Sequence, residues 1–141
     1  MPSCRMLVVE DNELFRRVIC SILRRRSEFR IVGEASDGLE AVHLAEKLQP
    51  DLILLDIGLP RLSGLEATKL IRDLTPQAKI LFVSQESSSD IVQECLSLGG
   101  LGYVQKAHTE SDLLRAIDAV LGGIEFVSGG LVLKAANAQV P

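Results

Sequence analysis

The sequence predicts one α/β domain built on a parallel sheet wound with helices on both faces. Two observations predict it. Short apolar runs alternate five times with amphipathic stretches, which implies right-handed strand–helix–strand crossovers. Four of the five apolar runs also end on a polar or charged residue, as strands do when they carry a ligand site at their carboxyl ends. The 141 residues suit one domain with a real core, and nothing repeats beyond the alternation.

Met6-Leu7-Val8-Val9 reads as the first buried strand, closed by Glu10-Asp11. Asn12 is a good N-cap for a helix whose stripe is Leu14, Phe15, Val18, Ile19, Ile22 and Leu23. Arg30 to Ala35 is a weaker second strand, and the turn Ser36-Asp37-Gly38 opens a helix with Leu39, Ala41, Val42, Ala45 and Leu48 inward. Pro50 ends that helix. The run Leu52-Ile53-Leu54-Leu55 then delivers the carboxylate of Asp56 to the end of a third buried strand. Pro60 and Gly64 punctuate the following loop, and a helix runs from about Leu65 to Leu74.

Lys79 to Ser84 is the fourth strand. The serine-rich stretch Ser87-Ser88-Ser89-Asp90 leads into a helix carrying Ile91, Val92, Cys95, Leu96 and Leu98. Gly102-Tyr103-Val104-Gln105 is a short fifth strand ended by Lys106, and Thr109 to Asp112 resembles a cap for the last helix. Gly122-Gly123 breaks that helix, so residues 1–122 are expected to form the domain and 123–141 an extension or linker. Within it, Ile124 to Ser128 suits a short extended piece, and the remainder a short helix or linker.

The totals exclude several classes. A net charge of −4 with a pI near 5.2 argues against direct nucleic-acid contact by this segment. No apolar stretch approaches the ~20 residues of a membrane span, and the amino terminus has no signal-peptide pattern. Cys4, Cys20 and Cys95 lack ligand spacing and fit reduced thiols in a cytoplasmic protein. The run Arg24-Arg25-Arg26 fits a helix end whose cations complement the dipole.

Reading only the strand ends collects Glu10, Asp11, Asp56, Ser84 and Lys106. Carboxylates brought this close repel one another and need a hard cation to stay ionised together. Magnesium suits, because it takes one or two carboxylates and keeps its other positions for water or phosphoryl oxygens. A lysine and a hydroxyl at the same spot would hold the remaining phosphoryl oxygens. The set describes phosphoryl transfer to or from a carboxylate.

The chain resembles the receiver domain of two-component response regulators, over nearly all of residues 5 to 122. The resemblance is carried by Glu10-Asp11, by Leu55-Asp56-Ile57-Gly58-Leu59-Pro60 with Gly64, by Ser84, and by Gly102-Tyr103-Val104-Gln105-Lys106. It implies a flavodoxin-like fold of five strands in the order 2-1-3-4-5. It also implies that Asp56 accepts a phosphoryl group from a phosphohistidine on a kinase or phosphotransfer partner. Asp11, Glu10, Asp56 and the backbone carbonyl of Gly58 would hold Mg²⁺. Lys106 would pair with phosphoryl oxygens, Ser84 would donate to one of them, and Tyr103 would swing inward as Ser84 moves. Homodimerisation on phosphorylation is implied as well.

Three positions depart from the common pattern: Glu10 where many members carry aspartate, Gln85 where many carry a small residue, and Gly58. Bulk at Gln85 would slow water, and openness at Gly58 would admit it, so the two oppose each other in setting the phosphoryl lifetime.

Gly58 also bears on the competing enzyme reading. An aspartyl-phosphate phosphatase of the haloacid-dehalogenase type wants a second acid two residues after its nucleophile, and a glycine stands there. A switch is therefore expected rather than a turnover enzyme. The stretch from Gly122 to Ser128 resembles the end of receivers in the NarL/FixJ (LuxR-type) group, which usually continue into a helix-turn-helix domain. Nothing past Ser128 supplies one, so the expectation is a receiver cut from a longer transcription regulator. The alternative is a stand-alone receiver acting through protein contacts.

Overall fold

A computed structural model describes residues 3–128. The strands are β1 (Cys4–Val9), β2 (Phe29–Ala35), β3 (Leu52–Leu55), β4 (Lys79–Ser84), β5 (Gly102–Gln105) and β6 (Phe126–Val127). The helices are α1 (Glu13–Leu23), α2 (Gly38–Leu48), α3 (Gly64–Leu74), α4 (Ser89–Ser97) and α5 (Thr109–Leu121), and a 3₁₀ turn spans Lys106–His108. One parallel sheet runs in the order β2-β1-β3-β4-β5-β6. The first five positions follow the expected order.

Strand alternation divides the core into two layers. Leu7, Val9, Ile53, Leu55, Ile80, Phe82 and Tyr103 face Ala41, Ala45, Ala67, Ile71, Val92 and Cys95 of α2, α3 and α4. On the other face, Met6, Val8, Leu52, Leu54, Leu81, Val83 and Val104 meet Ile19, Ile22, Leu23, Leu113, Ala116, Ile117 and Val120 of α1 and α5. Each fully buried Leu, Ile or Val contributes about 1.5–3 kcal/mol of transfer free energy. Because both faces are covered, the strands are apolar at successive positions rather than at alternate ones.

The expected helix stripes are narrower than their sequences suggested. Leu14 is 73% exposed, and Val18 and Leu39 also face solvent. Ile19, Cys20, Ile22 and Leu23 bury α1, and Phe15 of its first turn is partly buried against the same layer. The arginine run does more than complement a dipole. Arg25 pairs with Glu110 at 2.5 Å, and Arg26 pairs with Asp118 at 2.8 Å, tying the end of α1 to α5.

β6 falls in the segment expected to be an extension, and it pairs with β5 in register Gly102↔Phe126 and Tyr103↔Val127. Ser128 is fully buried; its N–H donates to the Tyr103 carbonyl at 2.9 Å, and its Oγ accepts from the Gln105 N–H at 2.8 Å. The sheet thus continues past residue 122. The short helix or linker expected beyond Ser128 lies outside the described residues.

Candidate functional site at the carboxyl ends of the strands

The chain leaves β1 for β2 on one side and returns to β3 on the other. Strand order therefore reverses between β1 and β3, the place where an open parallel sheet forms a crevice. Glu10 and Asp11 follow β1, Asp56 follows β3, Ser84 ends β4 and Lys106 follows β5. These residues, with Asn12, Ile57, Gly58, Gln85 and Glu86, line a cavity of about 330 Å³.

Asp56 is held by backbone before its side chain does anything. Its N–H donates to the Val9 carbonyl at 3.2 Å, and its carboxylate accepts from the Gly58 N–H at 3.4 Å. The loop beyond folds back tightly: the Gly64 N–H reaches the Ile57 carbonyl at 2.7 Å, and Ser63 Oγ caps α3 by accepting from the Glu66 N–H. A Cβ on Gly64 would stand 2.0 Å from the Asp56 carbonyl oxygen, so a glycine is required there. A Cβ on Gly58 would meet nothing within 4 Å, leaving one flank of Asp56 open.

Carboxylate oxygens of Glu10, Asp11 and Asp56 lie within 4.8 Å of one another. Glu10 is fully buried and Asp56 is 6% exposed, whereas Asp11 faces solvent. Glu10 Oε2 accepts from the Asn12 N–H at 2.9 Å. Oε1 is buried without a well-directed hydrogen bond, although Lys106 Nζ lies 2.7 Å from it. We read that approach as an ion pair, because distance governs Coulomb attraction while angle governs a hydrogen bond. Burial pushes the Glu10 carboxyl above its usual range, outweighing Lys106 and the Asn12 N–H. All three acids offer hard oxygen donors, and one buried oxygen still lacks a directed partner. The set fits a small divalent cation.

Lys106 Nζ also donates to Asp56 Oδ2 at 3.1 Å. Burial alone would push its ammonium down, but Glu10 and Asp56 together hold it above the ordinary lysine range. Its backbone is anchored where the 3₁₀ turn meets α5, since Thr109 Oγ1 donates to the Lys106 carbonyl at 2.8 Å.

Ser84 is buried, and its Oγ accepts from the Glu86 N–H at 3.4 Å. Tyr103 is fully buried, not half-packed as an edge residue would be, and its hydroxyl donates to the Glu86 carbonyl at 2.7 Å. Burial pushes the Tyr103 phenol up to about 12. Ser84 and Tyr103 thus grip the same turn after β4.

The structure brings together Glu10, Asp11, Asp56, Gly58, Ser84 and Lys106 at one cavity, with Tyr103 behind it. Sequence reading missed three participants. Phe15 lies on the inward stripe as expected, partly buried against the core, and in addition Lys106 Nζ stands 4.8 Å from its ring centroid. The clue was its position one helical turn beyond Asp11. Arg16 Nη1 donates to the Glu10 carbonyl at 2.8 Å, and Ser128 holds the Gln105 N–H beside Lys106. No local signal marks either of these.

The fold and the cluster define the class: a doubly wound α/β domain with three carboxylates and a lysine at its switch point. The chain belongs to the response regulator receiver domain family, whose sequence pattern matches residues 6–118. A putative transcriptional regulator of Pseudomonas aeruginosa is 38% identical over 128 residues, 90% of this chain and 61% of that protein. Protein CcdB of Bacillus subtilis is 36% identical over 118 residues, covering 84% of this chain and 98% of its own length. A crystal structure of a two-component response regulator of the LuxR family from Aurantimonas sp. SI85-9A1 superposes with a TM-score of 0.89 at 30% identity. That match covers 99% of both chains. Its homologues include response regulators of the NarL/LuxR group, among them the nitrate/nitrite response regulator NarL of Escherichia coli, 32% identical over 126 residues. The chain spans between 52% and 63% of the length of the transcriptional regulators it matches first.

Proposed function

We propose that the protein is a phosphorylation-controlled switch in which Asp56 takes a phosphoryl group from a phosphohistidine of a histidine kinase or phosphotransfer protein. The observation that carries this reading is the convergence of Asp56, two further carboxylates, Lys106 and Ser84 on one cavity. An Asp56 carboxylate oxygen attacks phosphorus as the phosphorus–nitrogen bond breaks, and the electron pair leaves with the imidazole. Glu10, Asp11, Asp56 and the Gly58 carbonyl would hold Mg²⁺, which screens the carboxylates and polarises phosphoryl oxygens.

Lys106 neutralises charge on the transferred group, because its ammonium already sits against Asp56. Ser84 turns its hydroxyl to a phosphoryl oxygen, and the Glu86 turn that Tyr103 grips moves with it. Phosphorylation adds about −1.5 to −2 charge and three strong acceptors, enough differential contact to bias such a loop. The acceptor is a switch rather than a turnover enzyme, since Gly58 offers no general acid. The setting is cytoplasmic, and among the described residues no helix is long and apolar enough to cross a membrane.

Similarity to transcriptional regulators supports a DNA-binding output beyond this segment. A second reading, a stand-alone receiver, is favoured by the nearly full-length match to CcdB. Reading the gene past Pro141 separates the two. Phosphorylation drives homodimerisation in either case; sedimentation with and without beryllofluoride and Mg²⁺ tests that step, and an unchanged mass contradicts it. Labelling with acetyl phosphate and Mg²⁺ tests the whole proposal. Wild type takes up label and Asp56→Asn does not; label persisting in the variant removes Asp56 from its role.

A further inference from the structure

A second cavity, of about 460 Å³, is lined by Asn12, Phe15, Gln85, Gln105, Lys106 and Ala107, and none of the three carboxylates lines it. Lys106, with Asn12 and Gln85, lines this cavity and the acid one alike. On the acid side it is held by Glu10 at 2.7 Å and Asp56 at 3.1 Å. Its further neighbour is the Phe15 ring, 4.8 Å from Nζ to the centroid. Lysine has a long, flexible stem with ~2 kcal/mol of rotamer entropy, so its tip needs more than one restraint to be aimed.

The two restraints respond differently to a divalent cation. A cation at the acid cluster competes for the oxygens that now hold Lys106, above all Glu10 Oε1. The ring offers no ligand atom to the cation, so its attraction for the ammonium does not compete for those oxygens. The aromatic face attracts an ammonium within about 6 Å, and does so more strongly where water is excluded. The Lys106 side chain is 14% exposed, so the contact falls toward the desolvated end.

From this geometry we infer that Phe15 is a positioning residue: its ring holds the Lys106 ammonium at the mouth of the acid cluster when the cation has drawn Glu10 away. Phe15 acts through Lys106 and touches neither the cation nor the phosphoryl group. The inference rests on the proposed role of Asp56.

Calorimetric titration of the purified chain, first with Mg²⁺ alone and then with beryllofluoride at saturating Mg²⁺, tests it. Phe15→Leu keeps an apolar side chain and removes the ring's charge distribution; Phe15→Tyr and Phe15→Trp keep the ring. Beryllofluoride affinity is expected to fall in Phe15→Leu by about two- to thirty-fold, the range a cation–π contact supplies. It is expected to recover in Phe15→Tyr or Phe15→Trp, with Mg²⁺ affinity the same throughout. Equal beryllofluoride affinity in Phe15→Leu and wild type overturns the inference. So does a parallel loss of Mg²⁺ affinity, which would mark a merely structural role. Failure of wild type itself to bind beryllofluoride overturns instead the proposed role of Asp56, and this inference with it.

Discussion

Lys106 Nζ stands 2.7 Å from Glu10 Oε1, so one ammonium offsets a fully buried carboxylate carried by a different strand. The same ammonium reaches Asp56, and three elements of the sheet are thereby joined at their carboxyl ends.

Replacing that lysine should therefore cost stability as well as reactivity. Lys106→Met leaves Glu10 and Asp56 facing each other without a cation, and removing one partner of a buried pair costs about 3 kcal/mol. Urea denaturation at neutral pH in a chelator should show the loss. Added Mg²⁺ should recover part of it, because a ligand that binds the folded state stabilises it by mass action.

Tyr103 gives the chain an alkaline limit. Burial raises the phenol from 10.0 to about 12, so the folded state holds its proton more tightly than the unfolded chain. Below pH 10 both states are protonated and the contribution is whole. Above it the unfolded phenol ionises first, and the contribution is lost as pH rises through about 12. The sequence has one tyrosine and no tryptophan, so ultraviolet absorbance reads this group alone. No phenolate should be seen through pH 10, where an exposed tyrosine is half ionised. Tyr103→Phe should remove this slope and cost about 1 kcal/mol for the lost Glu86 hydrogen bond.

Two glycines flank Asp56 with opposite tolerances. Gly64→Ala drives a methyl against the Asp56 carbonyl oxygen and should cost about 1–3 kcal/mol while slowing acetyl phosphate labelling. Gly58→Ala enters open space and should leave the melting temperature within error of wild type. Thermal melts of the two variants side by side decide the matter.

Ser128→Ala should destabilise by about 1–2 kcal/mol, because the Gln105 N–H loses its acceptor in a partly buried setting. Faster amide exchange at Gln105 is the specific sign of that loss, and unchanged exchange would show that the serine does not hold the edge.

Most of this site could be read in the sequence because its residues sit where local patterns end. Asp56 follows four buried apolar residues, and the strand-end rule then collected Glu10, Asp11, Ser84 and Lys106. What could not be read depends on which way side chains lean after packing. Phe15 shares a helical stripe with Ile19 and Ile22 and packs partly buried against their layer, but its ring also meets Lys106, which the stripe alone does not announce. Leu14 and Leu39 obey the same periodicity and end in solvent, since apolar spacing marks a face without saying how far the neighbouring layer extends. Ser128 joins the sheet only because the chain turns back at Gly123, where φ is +83°, and two residues of strand are too short to announce themselves.

The most direct test of the central claim is chemical location of the phosphoryl group. Borohydride reduces an aspartyl phosphate to homoserine, which peptide mass spectrometry places by residue. After treatment with acetyl phosphate and Mg²⁺, homoserine is expected at position 56 and at neither position 11 nor position 51. Homoserine at another aspartate, or none in a protein that still takes up label, would contradict the assignment of Asp56.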